Sequence, residues 1–465
     1  MGLVKRVSFS QLLNHKYIRF DPKYLETINK IKFHNFTLLK DLFEIINGNS
    51  YTNDYVDYKT DKAFIRIGNL SFKDKINPEN IIYLNEELQI PKDKLLKKDD
   101  LILATIGATI GKINLAREFK GGTFSNNTVV LRLKENNNPL FLEKLLQTNL
   151  MQKYIAGVAS QKAQPNLQSY DIEQIKIPNI DLKIQNKAIE KIKPIEEEIQ
   201  TLKTEKKDDL EIINNVFSKE LKFDWDKFNS IKKEKIFISN LLEFSKNKDT
   251  RFSYNFTHKS HQYLKDFLFS RTSKKIKDFV KEDIKLGKSI SPAQFDKTGD
   301  CYYVSMATIK NYKIELDDSQ LTSKNYEKDN ITHKLQQNDI VVSRSGVAIG
   351  KFALVDNNIN AINADFTIRI RLNEKKVNPL FAYYFFRSDF IQELIHFNKK
   401  GLQNKNIFPS QLQEFPLLGF DLDYQQEIVD KIQTQIDSQK NIDKQIKDKQ
   451  AEISKIIEYC IQKNG

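Results

Sequence analysis

The chain has 465 residues, a formal net charge of +13 and a sequence pI near 9.2, long enough for two or three domains with separate cores and basic enough to suggest a polyanionic partner. Only eleven of its 74 basic residues are Arg; Lys, Asn and Ile are all abundant, as an AT-rich genome writes them, so part of the charge has no bearing on binding. Two cysteines, Cys301 and Cys460, exclude a disulfide framework, and no apolar run reaches signal-peptide or transmembrane length, so a soluble cytoplasmic protein without a membrane partner is expected.

In the first half, residues 63–68, 101–105, 112–116 and 128–133 are short β-prone runs separated by Gly, Asn and Asp. Asn138-Pro139-Leu140-Phe141 reads as a helix start, with Asn as cap and Pro in the first turn, and predicts an amphipathic helix over 140–156. A polar loop (157–168, GVASQKAQPNLQ), an extended stretch (175–179) and a long polar helix follow. Residues 223–248 form a connector without a clear assignment. The second half then repeats the series: β-prone runs at 302–305, 340–343, 351–355 and 366–372, Asn378-Pro379-Leu380-Phe381, a helix over 380–397, a polar loop (398–409, NKKGLQNKNIFP), an extended stretch (415–418) and another polar helix.

The repetition is in register. A shift of 239 sets Gly107 on Gly346, Ile110-Gly111-Lys112 on Ile349-Gly350-Lys351 and Thr128 on Thr367; a shift of 240 holds from Asn138 (on Asn378) to Gln185 (on Gln425). The repeat is expected to begin near Arg19-Phe20 and Arg251-Phe252. A period this long exceeds that of a solenoid and means two diverged copies of one domain. Such a chain is suited to two similar but non-identical contacts.

Stepping by 3 and 4 from Gln185 gives Ala188, Ile192, Ile195, Ile199, Leu202, Lys206, Asp209, Ile213, Val216 and Glu220; from Gln425 it gives Ile428, Ile432, Gln435, Gln439, Ile442, Ile446, Lys449, Ile453, Ile456 and Cys460. These are heptad seams, and about 40 residues at 1.5 Å each make a rod of roughly 60 Å. Ile192, Ile195, Ile199, Leu202, Ile213, Val216, Ile428, Ile432, Ile442, Ile446, Ile453 and Ile456 are the expected pairing residues. Pairing between the two repeats explains why each carries a seam; pairing between two copies of the chain is the other reading. Pro194 is expected to interrupt the first helix.

Gly107-x-x-x-Gly111-Lys112 and its copy fall one residue short of a P-loop, and Ile113 and Phe352 stand where a Mg²⁺-binding hydroxyl belongs. A turn between two strands is expected instead, either holding Lys112 and Lys351 near a phosphate backbone or serving as a plain hairpin. The Asn-Pro-Leu-Phe segments resemble the Asn-Pro-Pro-Tyr/Phe loop of adenine methyltransferases, but the second Pro is missing and no Gly-rich cofactor loop precedes it. His258 and His261 have helical spacing without other ligands, and Glu118-x-Lys120 lacks the upstream Pro-Asp of a nuclease motif. No catalytic or metal constellation is expected. In the polar loops, Gln, Asn and Lys are side chains that bond base edges and phosphates, although a solvated loop has the same composition. The candidate DNA contacts are Ser160, Gln161, Lys162, Gln164 and Asn166, then Lys399, Lys400, Gln403, Asn404, Lys405 and Asn406 in the second loop. The turns add Thr105, Thr109, Lys112, Ser343, Arg344, Ser345 and Lys351.

This ordered duplication, with Gly-x-x-x-Gly-Lys, the NTVVLRL and FTIRIRL strands and a Gln before each long helix (Gln185, Gln425), resembles the specificity subunit of type I restriction-modification enzymes, or of related type II systems with a separate specificity chain. One departure is Leu417-Leu418-Gly419, where that family has a proline-rich segment. The resemblance implies an α+β chain of two homologous mixed α/β target-recognition domains. Each is followed by a long helix, and the two helices pair as an antiparallel coiled coil. Expected boundaries are 1–178 and 223–418 for the domains (the second including the connector), with helices over 179–222 and 419–465. The implied partners are double-stranded DNA, adenine methyltransferase subunits and restriction subunits. Catalysis, S-adenosylmethionine and any ATP and Mg²⁺ would belong to those subunits, leaving no cofactor in this chain. Two other classes stay open: a self-contained endonuclease or methyltransferase, and a coiled-coil scaffold with no sequence-specific DNA binding.

Overall fold

The computed structural model describes residues 22–31, 33–134, 136–159, 164–238, 253–317, 319–401 and 405–464. It divides into two units, Met1–Glu205 with Ile442–Gly465, and Lys206–Asn441. The expected repeat starts at Arg19-Phe20 and Arg251-Phe252 lie outside the described residues.

In the first unit, the strand Leu101–Ala104 pairs antiparallel with Thr128–Leu133 on one side and Ile113–Leu115 on the other, and Phe43–Asn47 extends the sheet beyond Thr128–Leu133. All four residues of Leu101–Ala104 are buried. Leu101 and Leu103 pack with the helices, while Ile102 and Ala104 face a second sheet. A strand covered on both faces reads as an unbroken apolar run, which is why LILA stands out in the sequence. In the second sheet, Ala63–Ile65 lies between Ile82–Leu84, antiparallel, and Thr123–Phe124, parallel.

The second unit repeats this plan. Ile340–Ser343 pairs with Thr367–Ile370 and Phe352–Leu354, with Lys285–Leu286 at the edge. Its second sheet sets Cys301–Val304 between Leu321–Thr322 and Ala361–Asn363. The register repeats as well: Leu101 faces Leu131 and Ile340 faces Ile370. The connector supplies a helix, Trp225–Lys232, which with Phe223 packs Trp225 against Phe390 and Phe228 against Trp225 and Phe397.

Each domain helix is two helices. Pro139–Gln147 ends at Thr148, which has an extended backbone and caps Asn149–Val158 by accepting from the Met151 N–H; Ser388, likewise extended but with its hydroxyl donated to the Phe385 carbonyl instead, separates Pro379–Arg387 from Asp389–Asn398. The apolar period continues across both breaks, so periodicity alone shows one helix over 140–156 and one over 380–397.

In the long helices, Leu182–Glu205 runs through Pro194 without a break, which corrects the expected interruption. Pro194 and Glu190, whose carbonyl loses its helical partner to the ring, are both exposed, which leaves that carbonyl open to solvent and makes the proline tolerable there. The helix stops instead at residues 206–208, and Asp208 caps a new helix, Asp209–Leu221, by accepting from the Glu211 N–H. The second long helix is continuous over Leu422–Asn464. Within the first unit Ile192, Ile195 and Ile199 pack with Ile446, Ile453 and Ile457, with Leu202, Ile442 and Ile456 at the margin. Within the second, Ile213 and Val216 share a core with Ile428, Ile432 and Ile436. Glu198 pairs with Lys449 in the first unit; in the second, Glu220 bonds Lys431 while the Lys207 N–H donates to Gln439. Chain numbers run in opposite senses, so the packing is antiparallel. Two register positions shift: Gln435 is exposed and Ile436 takes the buried place, and the fully buried Ile457 takes the place expected of Ile456, which is half-buried. Among the described residues no helix is long and apolar enough to cross a membrane.

Candidate nucleic-acid interface

The Gly-x-x-x-Gly-Lys segments are tight turns between paired strands. Gly107 and Gly111 have φ of +61° and +90°, Gly346 and Gly350 +65° and +82°, values that favour a residue without Cβ. The amide of Gln152 donates to the Gly111 carbonyl at 2.7 Å, and that of Gln392 to the Gly350 carbonyl at 3.0 Å. These bonds tie each turn to the helix below it.

The polar loops come back to the same turns. In the first unit the Leu167 N–H donates to the Thr105 carbonyl (2.8 Å), the Gly107 N–H to the Pro165 carbonyl (2.8 Å) and the Thr105 N–H to the Asn127 carbonyl (3.1 Å). In the second, Ile407 donates to Arg344 (2.9 Å), Gly346 to Lys405 (3.3 Å) and Arg344 to Phe366 (3.0 Å). Ile106 bridges Asn166, and Ser345 bridges Asn406. Two candidate segments more than fifty residues apart in sequence thus form one surface in each unit, on one backbone frame used twice.

The side chains on that frame divide sharply. Gln164, Asn166, Lys351 and Lys405 are exposed; Thr109, Lys112, Arg344, Lys399, Lys400 and Asn406 are half-buried. Lys112 lies over the Phe72 ring, 5.8 Å from its centroid, and Thr109 donates its hydroxyl to the Ile106 carbonyl. Burial, and then the like charge of Lys405, hold the Lys399 ammonium below its usual range. Three expectations need correction. Ser343 is fully buried, Thr105 is buried with its hydroxyl donated to the Asn127 carbonyl at 3.0 Å, and Ser345 is buried beside the Met306 sulfur. These three side chains cannot reach a duplex without rearrangement. Ser160, Gln161, Lys162, Gln403 and Asn404 lie outside the described residues.

The arginines of the repeated block also separate. Arg132 holds Asp100 through two bonds, Nε to Oδ1 (3.0 Å) and Nη2 to Oδ2 (2.8 Å). Arg371 holds Asp339 by the same two atoms, both at 2.7 Å. Arg369, 1 % exposed, pairs with Glu282 at 2.9 Å. The hydrogen bonds to Asp100 and Asp339 raise the two guanidinium pKa values against the pull of burial, while burial lowers that of Arg369. These charges are committed within the fold. Arg344 alone of the four has no carboxylate partner among the described residues. The sequence does signal the pairs, since Asp100 and Arg132 recur at Asp339 and Arg371 with the same separation, but only the fold shows that they meet.

At the domain–helix junction, Gln185 is 2 % exposed and Gln425 fully buried. The Asn138 N–H donates to Gln185 Oε1 (2.8 Å), and the Asn378 N–H to Gln425 Oε1 (2.7 Å). Each Gln amide donates back to a backbone carbonyl, Ile180 or Phe420. Asn138 and Asn378 also cap their helices, accepting from Leu140 and Phe141 and from Leu380 and Phe381, as their sequence predicts. The histidines are engaged in the fold: His258 bonds Ser260 and the Glu234 carbonyl, and His261 the Phe256 carbonyl. No group of His, Cys, Asp and Glu suited to a metal occurs among the described residues.

A family model described as the type I restriction modification DNA specificity domain matches the chain twice, over residues 13–211 and 272–450. No curated protein matches. Solved structures similar to this chain include the type I restriction-modification S subunit from M. genitalium (13% identity, TM-score 0.39, 94% of this chain and 98% of that one covered) and the HsdS subunit from Thermoanaerobacter tengcongensis (13%, 0.32, 94% and 98%). A third, from work on complex assembly and conformational transition of the type I R-M system, has 12% identity and a TM-score of 0.46, covering 93% and 98%. The two family matches take in most of the chain and fall one on each repeat: the chain belongs to the type I restriction modification DNA specificity family, as a DNA sequence-recognition subunit.

Proposed function

We propose that each unit reads one half of a bipartite, asymmetric DNA site from the major groove, and that the paired helices set the unread spacer and dock adenine methyltransferase subunits. The observation that carries this reading is the repeated frame of turn and polar loop, whose hydrogen bonds agree between units while its side chains differ. One frame with two sets of side chains suits two half-sites of different sequence. Lys112, Lys351, Lys399, Lys400 and Lys405 supply charge for phosphates, and Gln164, Asn166 and Asn406 supply amides for base edges. Linking two readers raises the effective concentration of each for its half-site, so modest affinities combine. The chain itself carries no catalysis in this reading; S-adenosylmethionine, with ATP and Mg²⁺ where a motor is present, belongs to partner subunits, and restriction subunits join the complex.

The test is co-expression with its methyltransferase in a host lacking other adenine methylation, followed by methylome sequencing. A single bipartite methylated motif is expected. A continuous palindrome, or no methylation, would overturn the proposal.

A further inference from the structure

We infer that Arg344 reads a guanine in the half-site of the second unit, with Phe366 and Phe408 as positioning residues that hold its guanidinium flat and aimed. This rests on the half-site reading above and adds a base and a geometry to it. The guanidinium carbon lies 5.8 Å from the Phe366 ring centroid and 5.4 Å from that of Phe408, within cation–π range of both. The three residues are brought together by backbone. The Arg344 N–H donates to the Phe366 carbonyl, and its carbonyl accepts from Ile407, the neighbour of Phe408.

The charge is unspent. Arg132, Arg369 and Arg371 are neutralised by carboxylates, whereas Arg344 has none among the described residues, and its Nε–H is buried without an acceptor. Phe366 is 47% exposed and Val347, at the tip of the adjacent turn, is wholly exposed. Apolar side chains displayed beside a cation suit a surface that is covered in use. The first unit differs at every one of these places on the same frame: Thr105, Asn127, Gln168 and Ala108 stand where the second has Arg344, Phe366, Phe408 and Val347. Arginine and its two braces therefore occur together in the second unit and all three are absent from the first. A planar, braced guanidinium presents two parallel donors, which match O6 and N7 of guanine in the major groove, the commonest specific contact of this side chain. Lysine carries the charge without the fork.

The experiment is selection from randomised duplexes by the full chain, followed by sequencing, for the wild type and for Arg344→Lys, Arg344→Ala and Phe366→Ala. Trp225 fluorescence during urea unfolding checks that each variant is folded, and Phe366, half exposed, can be truncated without opening the core. The wild type is expected to select a G·C pair at one position of one half-site, by about 5- to 150-fold over other pairs. Arg344→Lys and Arg344→Ala should reduce that preference to within about 2-fold and leave the other half-site unchanged; Phe366→Ala should weaken it partially. A motif unchanged in Arg344→Lys, a loss spread evenly over all positions, or a lost base other than guanine would overturn this inference and leave the half-site reading standing. A wild type that selects no bipartite motif would overturn both.

Discussion

Removing Asp100 tests whether the recurrent Arg–Asp pair belongs to the fold or to the DNA surface. Asp100 is 1 % exposed and takes both bonds of the Arg132 fork; its Oδ2 also accepts from the Lys97 N–H at 2.8 Å. Asp100→Ala strands a largely buried guanidinium and a backbone donor, a loss of about 3–5 kcal/mol. At a urea m-value of about 2–3 kcal/mol per molar, the unfolding midpoint of the first unit falls by about 1–2 M. Asp339→Ala should cost less, about 1.5–3 kcal/mol, because Arg371 keeps a second carboxylate, Glu282, at 2.6 Å. Far-UV circular dichroism follows the whole chain, and Trp225, the one tryptophan, reports the second unit. The double variant Asp100→Leu with Arg132→Met removes both charges and should return near wild-type stability. If that stable double variant loses one half of the recognised motif, Arg132 touches DNA and the structural assignment is refuted. A midpoint change in Asp100→Ala below about 0.3 M would refute it as well.

Two further outcomes are expected. Lys405→Gln, at an exposed cation of the second loop, should weaken binding about equally for all duplexes and lower the slope of log K against log salt by about one; a change confined to one base position would contradict a phosphate role. On acidification, burial acts against the Glu282 carboxylate, but Lys285, Arg369 and Arg371 outweigh it and hold its pKa below the ordinary 4.5. Its contribution is complete above that value and is lost as pH falls through the lower folded value. The Trp225-reported urea midpoint should drop as pH falls from about 5 through the lower folded value, and less so in Glu282→Gln; equal slopes in the two proteins would remove Glu282 as the cause.

Much of this molecule is legible in its sequence because the informative signals are local or repeated. Leu101–Ala104 and Ile340–Ser343 announce themselves as apolar runs, Asn138 and Asn378 as caps, and the seam isoleucines by spacing. What stayed hidden depends on neighbours distant in the chain. Thr148 and Ser388 break their helices although the apolar period runs on, and the stop at residues 206–208 falls where polar residues already occupy the seam. Thr105 and Ser343 look like surface hydroxyls beside a turn, but both are buried, Thr105 bonded to Asn127 and Ser343 paired with Thr367. The pairing of Arg344 with Phe366 and Phe408 could be suspected only by comparing the copies residue by residue, since nothing in either local sequence marks three side chains as one group.

The buried Gln185 and Gln425 have a consequence for how such proteins can change. Each joint is made from a helix amide and the backbone of its own domain, together with an Asn cap, and uses no side chain of the candidate DNA surface. It works as a standard coupling with the same backbone bonds at both places, Gln185 adding one to the Asn137 side chain. A recognition domain exchanged at that boundary would meet the same mate on the helix it joins, so new specificities can be fitted to an unaltered seam. Base-reading residues are thereby free to drift at a rate the junction does not limit.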